Sequence, residues 1–345
     1  MGIGARSPSG LTALQVTMSA RAGKFAPRES HLIDKAGEPI ATARLASIAD
    51  NVQGLERFVA LGVPPLLQAA YPWIATGATR PKGTGTIPAF VAVPSEGRPG
   101  FDRRIGRHLL EALEARTRVP LDPGRSRLVL GCRGGGVTAF KLGMDELAKG
   151  ADAVLVGGID SYFDPGVLEW LDVECRLHGL DTENGFVPGE GAAFVLMVPR
   201  RRASSFDVLA QVISAAVETE PHPYGSEQPC LGEGLTKAVR RAVAPVGARS
   251  KCIPWCLTDV ANERHRVDEW MAALGRNHRA FVADPVHDQP LLKTGDVGAA
   301  SAEMLAAIAV TQWQTRCSEG DVALIATASD GPERGAMLLS VSPAS

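Results

Sequence analysis

The segment Leu128-Val-Leu-Gly-Cys-Arg-Gly-Gly-Gly-Val-Thr-Ala-Phe140 constrains this chain more than any other. An apolar strand runs into a turn holding one cysteine, one arginine and three glycines, and then into a helix. A side chain at such a helix start meets unpaired backbone N–H groups and the positive end of the helix dipole, which favour a thiolate. The layout is that of a nucleophile elbow, and either Cys132 or Arg133 can occupy it. Gly134, Gly135 and Gly136 would let a substrate carbonyl approach backbone donors able to hold an oxyanion. The plainer reading is a buried small residue before a tight glycine turn. The run lacks both the Gly-Lys-Ser/Thr ending of a Walker loop and the spacing of a dinucleotide fingerprint.

Around this segment strands alternate with helices, which selects an α/β layered fold. A strand tail and turn at 3–10 precede helical patterns at 11–20 and 46–70; a strand at 87–93 and an amphipathic helix at 104–116 lead to strand 127–130. Helix 137–149 follows, then an apolar strand at 153–156 ending in Gly157-Gly158, and a strand at 191–198. The polar break at 200–205 divides the chain into an N-terminal half, 1–204, and a C-terminal half, 205–345. The second half reads as strand 208–217, helix 234–244, strand 254–260, helix 266–274, strand 280–283, helix 298–313 and a hairpin of 322–328 with 335–341. The halves show no obvious sequence repeat, yet each has a helix that opens on glycine and small residues.

A chain of 345 residues with 45% hydrophobic and 21% charged residues can bury a substantial core. Its formal charge of -2 provides no global field for nucleic acid or an anionic membrane. No apolar run approaches the ~20 residues of a membrane span, and the first residues lack the apolar core of a signal peptide. These features predict a cytoplasmic protein. The cysteines at 132, 175, 230, 252, 256 and 317 are scattered and read as reduced thiols. Cys252 and Cys256 form a CxxxC without a second ligand pair, so no metal is expected from it, and no cofactor is implied.

Two further segments carry chemistry. In Glu183-Asn-Gly-Phe-Val-Pro-Gly-Glu-Gly-Ala-Ala193, the glycines permit a tight loop that Glu190 could brace by hydrogen bonds to backbone. In Leu292-Lys-Thr-Gly-Asp-Val-Gly-Ala-Ala-Ser301, Lys293 and Asp296 precede a helix rich in small residues.

Taken together, the three segments resemble the β-ketoacyl-(acyl carrier protein) synthases of the thiolase superfamily. Phe186-Val-Pro-Gly-Glu-Gly191 carries the likeness most specifically, and Lys293-Thr-Gly-Asp-Val-Gly-Ala-Ala looks like that family's late Lys…Thr-Gly-His…Gly-Ala-Ala segment. The resemblance spans essentially the whole chain. It implies a duplicated βαβαβαββ unit forming a five-layer α-β-α-β-α sandwich, and dimerisation. It also places strand 127–130 at the dimer seam.

The chain departs from that family where the chemistry lies. Members carry Cys-Ser-Ser/Thr-Gly at the elbow and two catalytic histidines. Matched on Gly136 and Ala139, the elbow position falls to Arg133, with Cys132 one residue early. Asn262 stands where the first histidine is expected and Asp296 where the second is, and Ser329–Gly335 replaces a Phe-Gly-Phe-Gly-Gly gate. Arginine stays protonated and cannot be a nucleophile. A carboxylate at 296 repels a developing oxyanion. Arg133 and Asp296 are therefore expected to face each other as a buried ion pair.

The implied role is a catalytically degenerate protein of fatty acid or polyketide-type metabolism: a binder of acyl chains or acyl carrier protein, or a non-condensing partner of an active ketosynthase, in a homodimer or heterodimer. The rival is a working acyltransferase with Cys132 as nucleophile on an acyl carrier protein or acyl-CoA thioester, Asn262 as oxyanion donor, and His265 or Asp296 as base. A third reading is an assembly protein with no acyl pocket.

Overall fold

The computed structural model describes residues 2–24, 27–75, 85–179, 182–246 and 253–342. In chain order the first half holds β1 (Ile3–Arg6), α1 (Ala13–Arg21), β2 (Arg28–Ile33), β3 (Pro39–Thr42), α2 (Gly54–Ala75), β4 (Ala89–Val93), α3 (Arg103–Thr117), β5 (Arg127–Leu130), α4 (Cys132–Ala148), β6 (Val154–Ser161), α5 (Pro165–Val173) and β7 (Glu190–Met197). The second half holds β8 (Ala210–Thr219), α6 (Glu233–Val243), β9 (Ile253–Thr258), α7 (Arg264–Arg276), β10 (Phe281–Asp288), α8 (Leu291–Thr294), α9 (Ser301–Gln314), β11 (Val322–Ala328) and β12 (Glu333–Val341).

The sheets run β1-β7-β6-β4-β5 and β8-β12-β11-β9-β10. With each half's sheet strands counted in chain order, both sheets read 1-5-4-2-3. In both, the fifth strand is antiparallel to its two neighbours and the remaining pairs are parallel. The duplication is plain in topology although the sequence shows no repeat.

Helices α4 and α9 lie between the sheets: α4 packs on β4 and β6 and on β8, β11 and β12, while α9 packs on β6, β7, β9 and β11. Helices α2 and α3 cover the outer face of the first sheet, and α6, backed by α7, covers that of the second. This is the α-β-α-β-α sandwich of the thiolase-like fold. Every residue of α9 from Ser301 to Trp313 is buried, as a helix enclosed by two sheets requires. Its small residues let α4 and both sheets close on it, around Phe140, Val156, Ile308, Ile325 and Met337.

The helix read at 46–70 begins at Gly54 and extends to Ala75 despite Pro64, Pro65 and Pro72. A β2/β3 hairpin, not read from the sequence, precedes it. Strand β1 lies directly on this helix: a Cβ at Gly4 would sit 2.1 Å from the Pro65 carbonyl oxygen. By length and composition α2 could cross a membrane, contrary to the sequence reading. Here it serves as a core helix, burying Phe58, Leu61, Leu66, Ala69 and Trp73 against the sheet. Strand β6 does not stop at the glycines but runs on to Ser161. Gly157 leaves room for the Phe194 ring and Gly158 for the start of α9, with a Cβ meeting those groups at 2.2 and 2.7 Å. Cys252 of the CxxxC pair lies outside the described residues.

Candidate functional site

Helix α4 begins at Cys132, five residues before the start read from the sequence, so all three elbow glycines are helical. Glycine disfavours a helix by about 1 kcal/mol relative to alanine, which is why the pattern suggested a later start. Packing overrides that preference: Cβ atoms at Gly134 and Gly136 would come within 2.9 Å of Glu333 and 2.6 Å of Ala302. Backbone strain falls on Cys132, a non-glycine residue with φ of +46°. Burial raises its thiol above the ordinary cysteine value, outweighing the backbone hydrogen bond of Ser95 and the positive charge of Arg98. The thiolate expected from the helix start is thus disfavoured.

One residue on, the Arg133 side chain turns inward and is 1% exposed. Its Nη2 donates to Asp296 Oδ2 at 2.8 Å and to the Tyr162 hydroxyl at 3.0 Å. Its Nε donates to the same carboxylate at 3.2 Å, and Nη1 donates to Asp330 at 3.1 Å. Asp296 follows α8 on the loop into α9, and its Oδ1 accepts from Gly298 N–H at 2.8 Å. A second guanidinium, Arg266 near the start of α7, donates to Asp296 Oδ2 at 2.9 Å. A third, Arg176 after α5, donates to Glu263 at 2.7 and 3.0 Å and to Asp330 at 2.8 and 3.2 Å. Asp259, just beyond β9, lies 3.7 Å from Arg266.

Three guanidiniums and four carboxylates thus form one web, buried except at Asp330, which is partly exposed. Burial opposes the Asp296 charge, but Arg133 and Arg266 outweigh it and hold its pKa at about 2. Asp330 is likewise driven down by Arg133 and Arg176 against its burial. Asp259 goes the other way, because burial dominates and lifts its carboxyl to about 6. Burial also pushes the Tyr162 phenol well above its usual value, leaving a neutral hydroxyl beside Arg133.

The elbow glycines do not present a vacant set of donors. Gly134 N–H donates to Ser329 Oγ at 2.9 Å, and that hydroxyl donates to the Gly131 carbonyl at 2.9 Å. Gly135 N–H bonds to the Gly131 carbonyl at 3.0 Å. These glycines let α4 approach β12 and α9; Ser329 takes the N–H that the sequence reading gave to an oxyanion.

Glu190 braces its loop from inside the core. It accepts from Leu45 N–H at 2.7 Å, Ser161 Oγ at 2.8 Å and Arg57 at 2.5 and 2.8 Å. Asn262 is not brought to Arg133. Its amide donates to the Glu183 carbonyl and lies 3.5 Å from His178 Nδ1, on the exposed side of the loop. His265 stacks on Tyr224 with ring centroids 4.3 Å apart, and burial lowers its pKa to about 4. Lys293 faces a separate cavity of about 320 Å³ with Arg21, His287 and Gln312. The sequence reading missed Tyr162, Arg176, Asp259, Glu263 and Arg266. Only Ser329 and Asp330 left a signal, lying in the segment where the resemblance leads one to expect a Phe-Gly-Phe-Gly-Gly gate.

No protein-family model and no curated protein sequence matches the chain. Solved structures do. The ishigamide ketosynthase/chain length factor aligns with a TM-score of 0.72 and 19% identity, covering 99% of this chain and 98% of that one. The ketosynthase from module 6 of the bacillaene synthase of Bacillus subtilis 168 aligns with a TM-score of 0.79 and 12% identity over 99% and 72% of the two chains. A type II polyketide synthase acyl carrier protein in complex with its ketosynthase bound to the hexaketide matches with a TM-score of 0.72 and 12% identity over 99% and 98%. Strand order, layering and whole-chain alignment agree: this chain shares the fold of these solved structures.

Proposed function

We propose that this chain is a non-condensing protein of the ketosynthase fold, acting as the partner of an active ketosynthase or as a binder of acyl chains or acyl carrier protein. The observation that carries this reading is the Arg133 guanidinium at the head of α4, buried and bonded to Asp296, Asp330 and Tyr162. Condensation needs an acylated nucleophile and donors aimed at a developing oxyanion. Here a permanent cation and two low-pKa carboxylates fill the region, and Ser329 engages the Gly134 N–H. The similarity to a ketosynthase/chain length factor supports the partner role. A ketosynthase fold solved with its acyl carrier protein supports the carrier as ligand. Strand β5 supports a seam between subunits: it ends the first sheet, pairs only with β4 among the described residues, and leaves Leu130 exposed.

The second reading, an acyltransferase using Cys132, is favoured by the left-handed backbone at that residue, since nucleophile elbows place the strained residue at the strand-to-helix turn. Incubation with an acyl thioester followed by intact-mass and peptide analysis separates the two. The non-condensing reading expects no adduct at Cys132. A stoichiometric adduct that disappears in Cys132→Ala overturns it.

A further inference from the structure

We propose that Glu220, Cys230 and Glu269 form a binding site for one divalent transition-metal ion of the zinc class. The three come from separate elements: Glu220 follows β8, Cys230 lies in the loop before α6, and Glu269 lies on α7. One donor atom from each falls within 4.8 Å of the others. Tetrahedral zinc spaces its sulfur and oxygen ligands by about 3.5 Å, and side-chain rotation supplies the remaining closure.

The carboxylates are held as metal ligands usually are, with one oxygen fixed by an outer partner. Glu220 Oε2 accepts from Gly234 N–H at 2.7 Å, and Glu269 Oε1 accepts from Arg334 Nε. The other Glu220 oxygen, Oε1, is buried without a hydrogen-bond partner among the described residues, and the residue is 1% exposed. A buried carboxylate oxygen left unpaired is costly, and an ion relieves that cost. The Cys230 sulfur lies among these carboxylate oxygens, half-buried at the edge of the cluster.

Binding displaces the thiol proton to solvent and forms a metal–thiolate bond. The thiolate and two carboxylates carry three negative charges, which Arg334 and a dication neutralise. One sulfur with two carboxylates suits zinc-like ions better than calcium or magnesium, which take oxygen ligands alone. A cavity of about 200 Å³, lined by Tyr224, Cys230, His265, Glu269 and Arg334, gives the ion an entry path and a remaining position for water.

A nearby cluster shows what excludes an ion. Glu263, His265 and Asp330 also converge, but Arg176 binds both of those carboxylates and His265 stacks on Tyr224. At the Glu220 cluster the only guanidinium bonded to a carboxylate among the described residues is that of Arg334.

The test is titration of the chelator-treated, reduced 345-residue protein with Co²⁺. One equivalent is expected to produce a near-ultraviolet thiolate-to-cobalt charge-transfer band that Zn²⁺ displaces. Cys230→Ser should abolish the band, Cys317→Ser should keep it, and Glu220→Gln should weaken binding at least tenfold. In the unmodified protein, Zn²⁺ should protect Cys230 from alkylation in peptide mass spectra. Absence of the band, its survival in Cys230→Ser, or unprotected Cys230 at saturating Zn²⁺ overturns the proposal.

Discussion

Arg133 donates from Nη2 to the Asp296 carboxylate across 163 residues of sequence, joining the head of α4 to the loop that opens α9. Because Tyr162 and Asp330 share the same guanidinium, its removal leaves several buried polar groups short of a partner. Arg133→Met is expected to lower unfolding stability by about 3–5 kcal/mol, the range for breaking a buried pair from one side. Urea denaturation of Arg133→Met, Asp296→Asn and the double variant should give a coupling energy of about 1–3 kcal/mol. Additive losses would show that the two side chains do not interact.

The web also sets the acid limb of the stability curve. Asp296 is held at about 2, below its ordinary 3.8. Its folded pKa lies under its unfolded one, so its contribution is complete above about pH 4 and fades as pH falls toward 2. The shift corresponds to about 2–3 kcal/mol. Denaturant titrations from pH 2 to 7 should show a steep fall below pH 4 that is shallower in Asp296→Asn. An equally steep fall in the variant would remove Asp296 from this role.

Glu303 works in the opposite direction. Both of its carboxyl oxygens are buried without a hydrogen-bond partner among the described residues, and burial raises its pKa from 4.5 to about 8. The folded state therefore favours the neutral acid. Its contribution is complete below pH 4.5 and is lost as pH rises through about 8. Glu303→Gln should gain on the natural protein as pH climbs from 5 to 9, by a few kcal/mol at about 1.4 kcal/mol per unit. Parallel stability profiles for the two proteins would contradict this.

The elbow glycines differ in what they tolerate. A Cβ at Gly136 meets Ala302 Cβ and Glu303 Oε2 at 2.6 Å, whereas one at Gly135 meets nothing nearer than 3.6 Å. Gly136→Ala should cost about 1–3 kcal/mol through overpacking. Gly135→Ala should be neutral or stabilising by up to about 1 kcal/mol through helix propensity. Thermal unfolding of the two variants checks the contrast, and equal shifts would contradict the packing account of these glycines.

Most elements were legible because each reports its own backbone. Strand 127–130 falls where its apolar run places it, and the 322–328 and 335–341 hairpin pairs in antiparallel register. The start of α4 was misplaced because glycine's low helix propensity is a local signal, while the packing that demands glycine there comes from Glu333 and Ala302. The β2/β3 hairpin was missed, since its polar Arg-Glu-Ser-His segment, exposed except at Ser30, carries little hydrophobic strand periodicity. Within the site, Arg133 and Asp296 could be paired because both departed from one recognisable pattern. Arg176 and Arg266 broke no pattern and gave no warning.

Local periodicity sets the alternation of strands and helices, and the chain order puts Cys132, Arg133 and Gly134 together at the strand-to-helix turn. What each of these side chains does was settled by the packing of distant segments. It placed the strain on Cys132 and the buried charge on Arg133. It gathered Arg176, Arg266, Glu263 and Asp330 around them and left Asn262 outside. The reason is physical: strand and helix follow from short-range periodicity, whereas a buried guanidinium is stable only where distant segments deliver carboxylates to it.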